Sequence, residues 1–510
     1  MRLTEDARGA WSPNIDGDGG GDPVVATRSL SDFHADLRRS RASPKDASPR
    51  RDPDYEAQEG VRSVLAAIRS GAPLVFVSGR AGTGKSRLID YMKSMPGGDR
   101  QVVVAPTGVA ALALRAPTIH AFFRLPIGVI DIMAMEEEDR FGAAIRKMTR
   151  LIIDEISMVR ADVLDGIDRR LRDLHDPGRP FGGVQVVMVG DFLQLPPVIT
   201  ESDRHLLENL GYETPFAFSA RVMQETPIKI ATLKKVWRQS DPEMITALGD
   251  IREGRNTAEA IGWLNGRCAR EHRKGRAPLL LTATRTAADS YNEAGLADLR
   301  EKYLGMEGEQ IVLEARADGA FEAENAMLPA PRFLEVMRGA RVMSVRNDPA
   351  AGYVNGSLGE VVDFHDGGGA FEDAWVSVLF DGASSPVRVF PAIWIKAKQT
   401  WDEGAQEIVE TSAGTFEQIP LVIGYAITIH KSQGLTLEDV RIDLGRGAFA
   451  PGQLYVALSR AKSVEGLSLV QPIQERDVRV DEMLVRFLAW ARQCENLDFE
   501  AGTSAASEDG

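Results

Sequence analysis

The residues with the clearest chemistry form a loop pattern that binds phosphate groups. The pattern G-x-x-x-x-G-K-[ST] is matched by the run Gly79, Arg80, Ala81, Gly82, Thr83, Gly84, Lys85 and Ser86. Glycines let backbone N–H groups turn toward phosphate oxygens, where a Cβ atom would obstruct them. Lys85 can reach the β- and γ-phosphates, and the Ser86 hydroxyl can ligate Mg²⁺. An apolar run at 74–77 precedes the loop and a helix-like stretch at 87–92 follows it. The loop therefore predicts a nucleotide-binding site rather than an ordinary glycine-rich turn.

A pair of carboxylates follows a second apolar run. In LIIDEISM, residues 151–158, Asp154 and Glu155 come directly after a predicted strand. Asp154 can hold Mg²⁺ through water, and Glu155 can polarise an attacking water as a general base. In isolation such a pair is most often a solvated strand end. The phosphate loop upstream of it favours the catalytic interpretation.

Three further polar residues are candidates for sensing the γ-phosphate. Gln194 follows the buried run 184–189, and a neutral amide there can respond to loss of the phosphate. Arg238 lies in VWRQ and Arg460 in ALSRAK. A guanidinium brought across a domain cleft can stabilise charge on the transferred phosphoryl group. A single arginine is more often a surface residue, so the packing around these two residues must show whether they reach the nucleotide site.

Short apolar runs alternate with helical patterns, which is typical of parallel α/β layers. In the first half the predicted strands are residues 74–77, 102–105, 151–153, 184–189 and 228–232. A second α/β pattern returns with residues 279–284 and 421–430. Between these two, residues 339–415 are short-stranded and glycine-rich, which predicts a small inserted β-barrel. Residues 118–149 lack a strong strand and predict a small insertion in the first domain.

Composition only loosely limits the class of protein and its compartment. The chain has 510 residues and a net charge of −14, which argues against a uniformly basic nucleic-acid coat but allows a local basic groove. Cys268 and Cys494 match no metal-ligand spacing, so a reducing compartment is favoured. No apolar run approaches the ~18 residues of a membrane span, and the N-terminus lacks a signal-peptide core. Residues 1–52 and 499–510 are predicted to be disordered tails. A nucleic-acid-binding basic arm at 38–51 is the alternative for the first tail.

The ordered series of motifs resembles the superfamily-one DNA helicases, and within them the petite-integration-frequency helicase family. Residues 158–172 resemble the signature helix of that family, and the resemblance covers about residues 55–470. The other matching segments are APTGVAA (105–111), TIHAFF (118–123), NGSLGEV (355–361), residues 418–440 and residues 452–462. The chain departs from the family pattern at Pro117 before TIH, where glycine is usual, and at the ATR run 283–285. Both departures bear on DNA contacts and leave the nucleotide site untouched.

This resemblance implies two RecA-like domains with ATP and Mg²⁺ between them and single-stranded DNA across their tops. The implied bounds are 53–225 for the first domain, with a strand-separating wedge at 118–149, then 226–338 and 416–498 for the second, with an SH3-like barrel at 339–415. Gln58 would contact adenine, although it lies further upstream of the loop than is usual in the family. The residues implied to line the DNA are Thr107, Gly108, His120, Phe123, Thr284, His430 and Ser432. One of Phe122 and Phe123 is expected to be part of the core instead.

The nucleotide site together with this resemblance thus implies an ATP-driven DNA helicase that acts in replication, recombination or repair, and the resemblance gives its 5′-to-3′ direction. Its expected partners are single-stranded DNA and duplex junctions, bound as a monomer or as a dimer that assembles on DNA. Two alternatives are a translocase that strips proteins or folded DNA and a replication-initiation ATPase that is not a motor. The residues Lys85, Asp154 and Glu155 argue against a module that only binds DNA. The expected location is a bacterial or phage cytoplasm, or the nucleus or mitochondrion of a eukaryote.

Overall fold

The computed structural model describes residues 53–494, apart from 96–99, 136–141, 269–277, 307, 324–325, 327, 349, 369–370 and 405–406. Towards the N-terminus it describes only an antiparallel pair of two-residue strands, Thr4–Glu5 and Trp11–Ser12. The tails predicted at 1–52 and 499–510 otherwise lie outside the described residues. Among the helices that are described, none has the length and apolar character needed to cross a membrane.

Five parallel strands form the sheet of the first domain. They are β1 (Leu74–Gly79), β2 (Gln101–Val104), β3 (Arg150–Ile153), β4 (Gln185–Gly190) and β5 (Ile228–Leu233). Their order is β2-β3-β4-β1-β5, and every neighbouring pair is parallel. All five predicted strands are confirmed, with bounds that differ by one or two residues. The first domain extends past its predicted end at residue 225, because β5 pairs with β1 in this sheet. Because the strands are parallel, the loop after β1 and the carboxylates after β3 and β4 meet at one edge of the sheet.

Helices cover both faces of this sheet. They are α1 (Pro53–Glu56), α2 (Glu59–Arg69), α3 (Lys85–Lys93), α4 (Gly108–Ala113), α5 (Ile119–Phe123), α6 (Ala143–Lys147), α7 (Ala161–Leu174), α8 (Glu201–Asn209) and α9 (Arg221–Glu225). Alternate residues of β1 face opposite cores, with Phe76 in one cluster and Val75 and Val77 in the other. In α2 the buried residues Val64 and Ile68 are four apart, so they share the face that packs on the sheet.

Three buried carboxylates of α7 form hydrogen bonds with neighbouring segments of the first domain. Asp162, Asp165 and Asp168 are spaced by three residues and are largely buried. They accept hydrogen bonds from the Ile130 N–H at 2.7 Å, the Tyr212 hydroxyl at 2.9 Å and the Phe181 N–H at 2.5 Å. Buried polar groups are costly unless paired, so these bonds fix the loops around α7.

The second half of the chain contains a second parallel sheet and an antiparallel β region. The strands are β6 (Leu279–Thr282), β7 (Gln310–Glu314), β8 (Arg316–Ala317), β9 (Phe333–Met337), β10 (Arg341–Ser344), β11 (Leu358–His365), β12 (Trp375–Phe380), β13 (Val387–Val389), β14 (Ala392–Asp402), β15 (Glu407–Gln418), β16 (Leu421–Ile423), β17 (Ala426–Thr428), β18 (Val440–Asp443) and β19 (Leu467–Leu469). The helices are α10 (Pro242–Glu253), α11 (Thr257–Cys268), α12 (Arg285–Lys302), α13 (Gln453–Leu458) and the helical residues 482–494. The parallel sheet has the order β17-β6-β18-β19.

The antiparallel region extends past the predicted bounds 339–415. Its largest sheet has the order β13-β12-β11-β10-β16, and β16 lies outside those bounds. The strands β7 and β9 form a separate antiparallel pair, while β14 and β15 form a long hairpin edged by β8. The run 421–430, predicted as part of the α/β pattern, is in fact divided. Its first part, β16, pairs with β10 in the antiparallel sheet, and its second part, β17, pairs with β6 in the parallel sheet.

The end of the described chain returns to the first domain. In the helical residues 482–494, Leu484 and Leu488 are buried in the same core cluster as Phe76. The Phe487 ring stacks on Phe218, with centroids 4.5 Å apart and planes inclined by 9°. A segment that follows the second domain therefore packs against the first, which ties the two domains together.

Candidate nucleotide site and nucleic-acid path

The phosphate loop lies between the end of β1 and the start of α3. Gly82 and Gly84 have φ angles of +77° and +89°, a region that favours glycine. The Lys85 ammonium donates hydrogen bonds to the carbonyl oxygens of Gly79 at 2.8 Å and Arg80 at 3.2 Å. Burial lowers the pKa of Lys85, although nearby carboxylates oppose that effect. The ammonium is thus held inside the loop, where a phosphate would replace the carbonyl contacts.

The predicted catalytic carboxylates follow β3 directly. Asp154 is buried, and burial together with the neighbouring Glu155 raises its pKa to about 7. Glu155 adopts a left-handed backbone conformation with a φ of +49°. Its Oε2 atom is buried and has no hydrogen-bond partner in the part of the chain that is described. A cation near Asp154 and a water near Glu155 would satisfy both groups, and the exposed Ser86 at the start of α3 can supply a further oxygen ligand.

The loop after β4 carries a buried ion pair across the two domains. The Arg252 guanidinium of α10 contacts both oxygens of Asp191, at 2.5 and 3.1 Å. Burial opposes ionisation, yet Arg252 holds the pKa of Asp191 below its usual value. The side-chain amide of Gln194 donates to the same carboxylate at 3.3 Å. Gln194 is therefore buried at the domain interface beside the phosphate loop, bonded to Asp191 in this conformation.

The two predicted arginines lie on the second-domain side of the loop. A Cβ atom on Gly82 would lie 2.6 Å from the Cβ of Arg238, so the loop approaches this residue closely. Arg238 donates to the Thr436 hydroxyl and to the Ser459 carbonyl, both at 2.9 Å. Arg460 is 2% exposed and donates to the Val456 carbonyl at 2.9 Å. Burial and the nearby charge of Arg238 lower the pKa of Arg460 to about 9.

Neither arginine forms an ion pair with a carboxylate within the described residues. Their hydrogen-bond acceptors are hydroxyl and carbonyl oxygens, which satisfy N–H groups but do not neutralise positive charge. An uncompensated buried cation is costly unless an anion reaches it. The arrangement therefore fits an anionic ligand between the phosphate loop and the two guanidinium groups.

Gln58 occupies the N-cap position of α2 without a capping hydrogen bond from its side chain. Gly60, two residues later, lies against the end of β5, since an added Cβ would meet the Thr232 carbonyl oxygen at 2.7 Å. Gln58 is thus half-buried close to the edge of the sheet from which the phosphate loop emerges. Its contact with adenine stays a prediction.

Two of the predicted DNA-lining turns have matching constructions in the two domains. Thr107 precedes α4, which begins at Gly108, and its hydroxyl accepts the Ala110 N–H at 3.3 Å. Thr284 precedes α12, and its hydroxyl accepts the Ala287 N–H at 3.3 Å. Each threonine follows a strand of its parallel sheet and caps a helix. Helix starts present free N–H groups that suit phosphate oxygens.

The turn at 118–123 divides its aromatic residues between core and surface. His120 is half-buried, and burial with the nearby Arg160 lowers its pKa. Phe123 is completely buried in the core cluster beside Ile119, which contradicts its prediction as a residue that stacks on DNA. The physical reason is helical spacing, because residues four apart in α5 share one face. Phe122 remains partly exposed and is the aromatic residue available at this turn.

The turn after β17 combines a buried hydroxyl with an aromatic pair, half-buried His430 and exposed Phe449. Ser432 is fully buried, and its hydroxyl donates to the Ile429 carbonyl at 2.7 Å. This contradicts the prediction that its side chain lines the DNA, because the hydroxyl stabilises the turn from inside. His430 is half-buried and lies nearly parallel to Phe449, with centroids 6.4 Å apart and planes inclined by 17°. Phe449 is 56% exposed. These two rings form a surface on which a base can stack.

Comparison with known proteins agrees with this geometry. The profile of the PIF1-like helicase family matches residues 56–273. The ATP-dependent DNA helicase PIF1 of Mus musculus is 34% identical over 84% of this chain and 62% of its own length. The ATP-dependent DNA helicase Pif1 of Bdellovibrio bacteriovorus is 31% identical over 83% of this chain and 90% of its own length.

The chain belongs to the PIF1-like helicase family. Solved structures of Pif1 from Bacteroides have the same fold. The complex with ADP-AlF4 matches with a TM-score of 0.74, 33% identity and coverage of 86% of this chain and 97% of the other. The form bound to single-stranded DNA matches with a TM-score of 0.59, 34% identity and coverage of 84% and 96%. The chain spans about 62% of the length of the mouse relative, so only that part can be compared.

Several residues at this PIF1-like site were missed by sequence reasoning. Asp191 follows a buried strand as Asp154 does, so its position at a strand end was a usable signal for it. Arg252 gave no local signal, because it reaches Asp191 from a distant helix. Tyr455 lies in the matching segment 452–462, but its contact with the phosphate loop depends on how α13 packs. Phe449 lies in a glycine-rich stretch without a recognisable pattern.

Proposed function

We propose that this protein is an ATP-dependent DNA helicase that moves 5′ to 3′ along single-stranded DNA and unwinds duplex or structured DNA. The observation that carries the proposal is the pairing of a phosphate loop and two strand-end carboxylates with two arginines that lack a carboxylate partner among the described residues, the half-buried Arg238 and the fully buried Arg460. A triphosphate supplies the missing negative charge only while the cleft is closed. Nucleotide binding and hydrolysis can then open and close the domains.

Each site residue has a role in this proposal. Lys85 and the loop N–H groups bind the phosphates, while Ser86 and Asp154 hold Mg²⁺, which would neutralise charge on the phosphate oxygens. Glu155 accepts the proton of the attacking water, and its unpaired buried oxygen supports this role. Arg238 and Arg460 stabilise charge on the transferred group. Gln194 responds to the γ-phosphate through its bond to Asp191.

Movement along DNA follows from contacts in both domains. Thr107 and Thr284 begin equivalent helices, so each domain can hold a phosphate of the same strand. When the cleft closes, the two contacts approach each other; when it opens, they separate. If the two contacts bind the strand in alternation, that motion becomes a step along the strand.

The predicted division into domains belongs to the same proposal. In the predicted wedge at 118–149, Ile127 is 90% exposed and Met133 is 79% exposed. Exposed apolar side chains suit contact with the separated end of a duplex. The antiparallel region around 339–415 would clamp the strand, since it lies between the segment that carries Arg238 and the turn at His430.

The decisive test is displacement of a labelled strand from matched 5′-tailed and 3′-tailed duplexes with ATP and Mg²⁺. We expect displacement of the 5′-tailed duplex only, and ATP hydrolysis that rises strongly with single-stranded DNA. Omitting Mg²⁺ should stop both activities. The Lys85→Ala variant serves as the control, because loss of the ammonium removes phosphate binding.

Other outcomes would favour the alternative functions. Removal of a bound protein or folded quadruplex without displacement of plain duplex would identify a remodelling translocase. Hydrolysis stimulated by DNA without displacement of any substrate would indicate an ATPase that is not a motor. Displacement of the 3′-tailed duplex would reverse the proposed polarity.

A second prediction concerns the aromatic surface formed by His430 and Phe449. The Phe449 N–H donates to the Gln453 side chain at 2.9 Å, and Gln453 donates to the Ala283 carbonyl at 3.4 Å, next to Thr284. The surface is therefore joined to the predicted phosphate contact. We expect Phe449→Ala to weaken single-strand affinity by about tenfold, since stacking on an aromatic side chain contributes about 1–3 kcal/mol per base.

The affinity should be measured by fluorescence anisotropy of a labelled oligonucleotide without nucleotide. The matched control is Phe449→Tyr, which keeps the ring and should bind within about twofold of the wild type. If Phe449→Ala binds the oligonucleotide with wild-type affinity, then Phe449 does not contact the DNA.

Compartment and assembly remain predictions. The relatives come from bacteria and from eukaryotes, which agrees with a bacterial or phage cytoplasm and equally with a eukaryotic nucleus or mitochondrion. We propose that the protein acts on DNA as a monomer or as a dimer formed there, which sedimentation with and without forked DNA would decide.

A further inference from the structure

A tyrosine of the second domain contacts the phosphate loop directly. Tyr455 lies on α13 and is 3% exposed. Its hydroxyl oxygen accepts a hydrogen bond from the Ala81 N–H, with an oxygen–nitrogen distance of 3.0 Å. Ala81 is the third residue of the loop, and it is also buried. The second domain therefore reaches the loop with a neutral hydroxyl in addition to the guanidinium groups.

The surroundings of this hydroxyl are those of the predicted γ-phosphate site. Charges of Asp191, Arg252 and Arg460 act on Tyr455, and the Tyr455 oxygen in turn acts on Arg238. The carboxylate of Asp191 is already engaged by Arg252. The hydroxyl therefore lies near the cations Arg252 and Arg460, and the nearby carboxylate of Asp191 already has a partner.

One hydrogen-bonding capacity of the hydroxyl is unused. A tyrosine hydroxyl can donate one hydrogen bond while it accepts others. The Tyr455 oxygen accepts from Ala81, but no acceptor for its proton is found in the part of the chain that the structure describes. Burial raises the pKa of Tyr455, so the proton is retained at neutral pH and is available for donation.

We infer that the Tyr455 hydroxyl donates a hydrogen bond to a terminal phosphate oxygen of ATP while it accepts the Ala81 N–H. This inference rests on the proposed function, because it assigns a further contact at the same nucleotide site. The hydroxyl joins the loop, the γ-phosphate and the second domain in one chain of hydrogen bonds. ADP lacks the acceptor, so the contact distinguishes the triphosphate from the diphosphate.

The isosteric variant Tyr455→Phe tests this contact, because it removes only the hydroxyl. We expect the affinity for ATPγS to fall by about tenfold, since hydrogen bonds to charged groups are among the stronger ones. The affinity for ADP should change by less than about twofold, and the turnover number for ATP should fall as well. Both affinities can be measured by displacement of a fluorescent nucleotide, with circular dichroism as the check of folding.

The matched control is Tyr291→Phe. The Tyr291 hydroxyl donates to Asp443 at 2.9 Å in the same second domain, but it makes no contact with the phosphate loop. This variant should bind ATPγS and ADP as the wild type does. Weaker binding of either nucleotide by Tyr291→Phe would show that removal of a tyrosine hydroxyl from this domain is disruptive in itself.

The ratio of the two affinities separates a phosphate contact from a purely structural role. Equal losses for ATPγS and ADP in Tyr455→Phe would mean that the hydroxyl only positions Ala81, and the inference would be overturned. Unchanged affinities for both nucleotides would overturn it too. Because binding is measured without turnover or DNA, these results are independent of strand displacement. A wild type that binds ATPγS but displaces no strand would refute the helicase proposal and leave this contact standing.

Discussion

The Glu155→Gln variant is expected to hydrolyse ATP about a thousandfold more slowly than the wild type while it still binds the nucleotide. General-base catalysis contributes roughly 10²–10⁴-fold to such reactions. The Glu155 Oε2 atom is buried without a partner in the described part of the chain, so it is free to accept a proton from water. Glutamine keeps the shape of the side chain and removes only its basicity. Single-turnover hydrolysis with excess enzyme would isolate this step.

Lys85→Ala is the informative comparison for Glu155→Gln. The Lys85 ammonium is held within the loop, so its loss should weaken nucleotide binding itself. Titration with a fluorescent ATP analogue should therefore show near-normal affinity for Glu155→Gln and a large loss for Lys85→Ala. The opposite pattern would exchange the roles assigned to these residues. Normal turnover in Glu155→Gln would show that a group other than Glu155 is the general base.

The backbone of Glu155 is strained, and such strain is often found at functional sites. A φ of +49° is unfavourable for a residue with a side chain and costs about 1–3 kcal/mol. Such strain persists where the surrounding structure imposes it. Asp154 is fixed by the hydrogen bond from its N–H to the Val104 carbonyl at 3.0 Å, which anchors the turn immediately before Glu155.

The first parallel sheet was predictable because its strands are buried on both faces. Such strands appear in sequence as continuous apolar runs, and β1 is buried along its whole length. The phosphate loop and the carboxylates after β3 follow from the same runs, since they occupy the strand ends. Local spacing was therefore enough to predict the core of the site.

The boundary between the two sheets of the second half was not predictable from apolar character. The run 421–430 is largely apolar on both sides of Gly424, but it crosses from one sheet to the other at that residue. An added Cβ there would lie 2.7 Å from the Val342 carbonyl carbon, so only glycine permits the close approach. Sequence shows the glycine, but it does not show the backbone that requires it.

Contacts between distant segments escaped prediction for a similar reason. The pair formed by Asp191 and Arg252 joins residues that are 61 positions apart, and neither neighbourhood indicates the other. Phe122 and Phe123 are adjacent in sequence, and only the orientation of α5 decides which of them is buried. The charge environment of Arg460 likewise depends on the packing of two domains.

Arg460→Ala is expected to lower the turnover number for ATP by about a thousandfold while single-strand affinity stays within about twofold of the wild type. An arginine that stabilises the transition state of phosphoryl transfer contributes about 10³–10⁵-fold. Arg460 is suited to that role because it is buried without a carboxylate partner, and its pKa is lowered to about 9 by burial and by Arg238. Steady-state hydrolysis with saturating DNA would measure the effect, and anisotropy would measure DNA binding.

The geometry of the guanidinium makes lysine a poor substitute at this position. Arg460 donates to the Val456 carbonyl at 2.9 Å and to the Ser459 hydroxyl at 2.8 Å, so several of its N–H groups fix its orientation at once. Arg460→Lys should therefore recover little of the lost activity, since an ammonium cannot reproduce the planar fork. The matched control is Lys462→Ala, because Lys462 is exposed and pairs with Glu438 at 2.7 Å; it should keep near-normal turnover. If Arg460→Ala hydrolyses ATP as fast as Lys462→Ala does, then Arg460 is structural and the charge on the phosphoryl group must be stabilised by Arg238 and Lys85 alone.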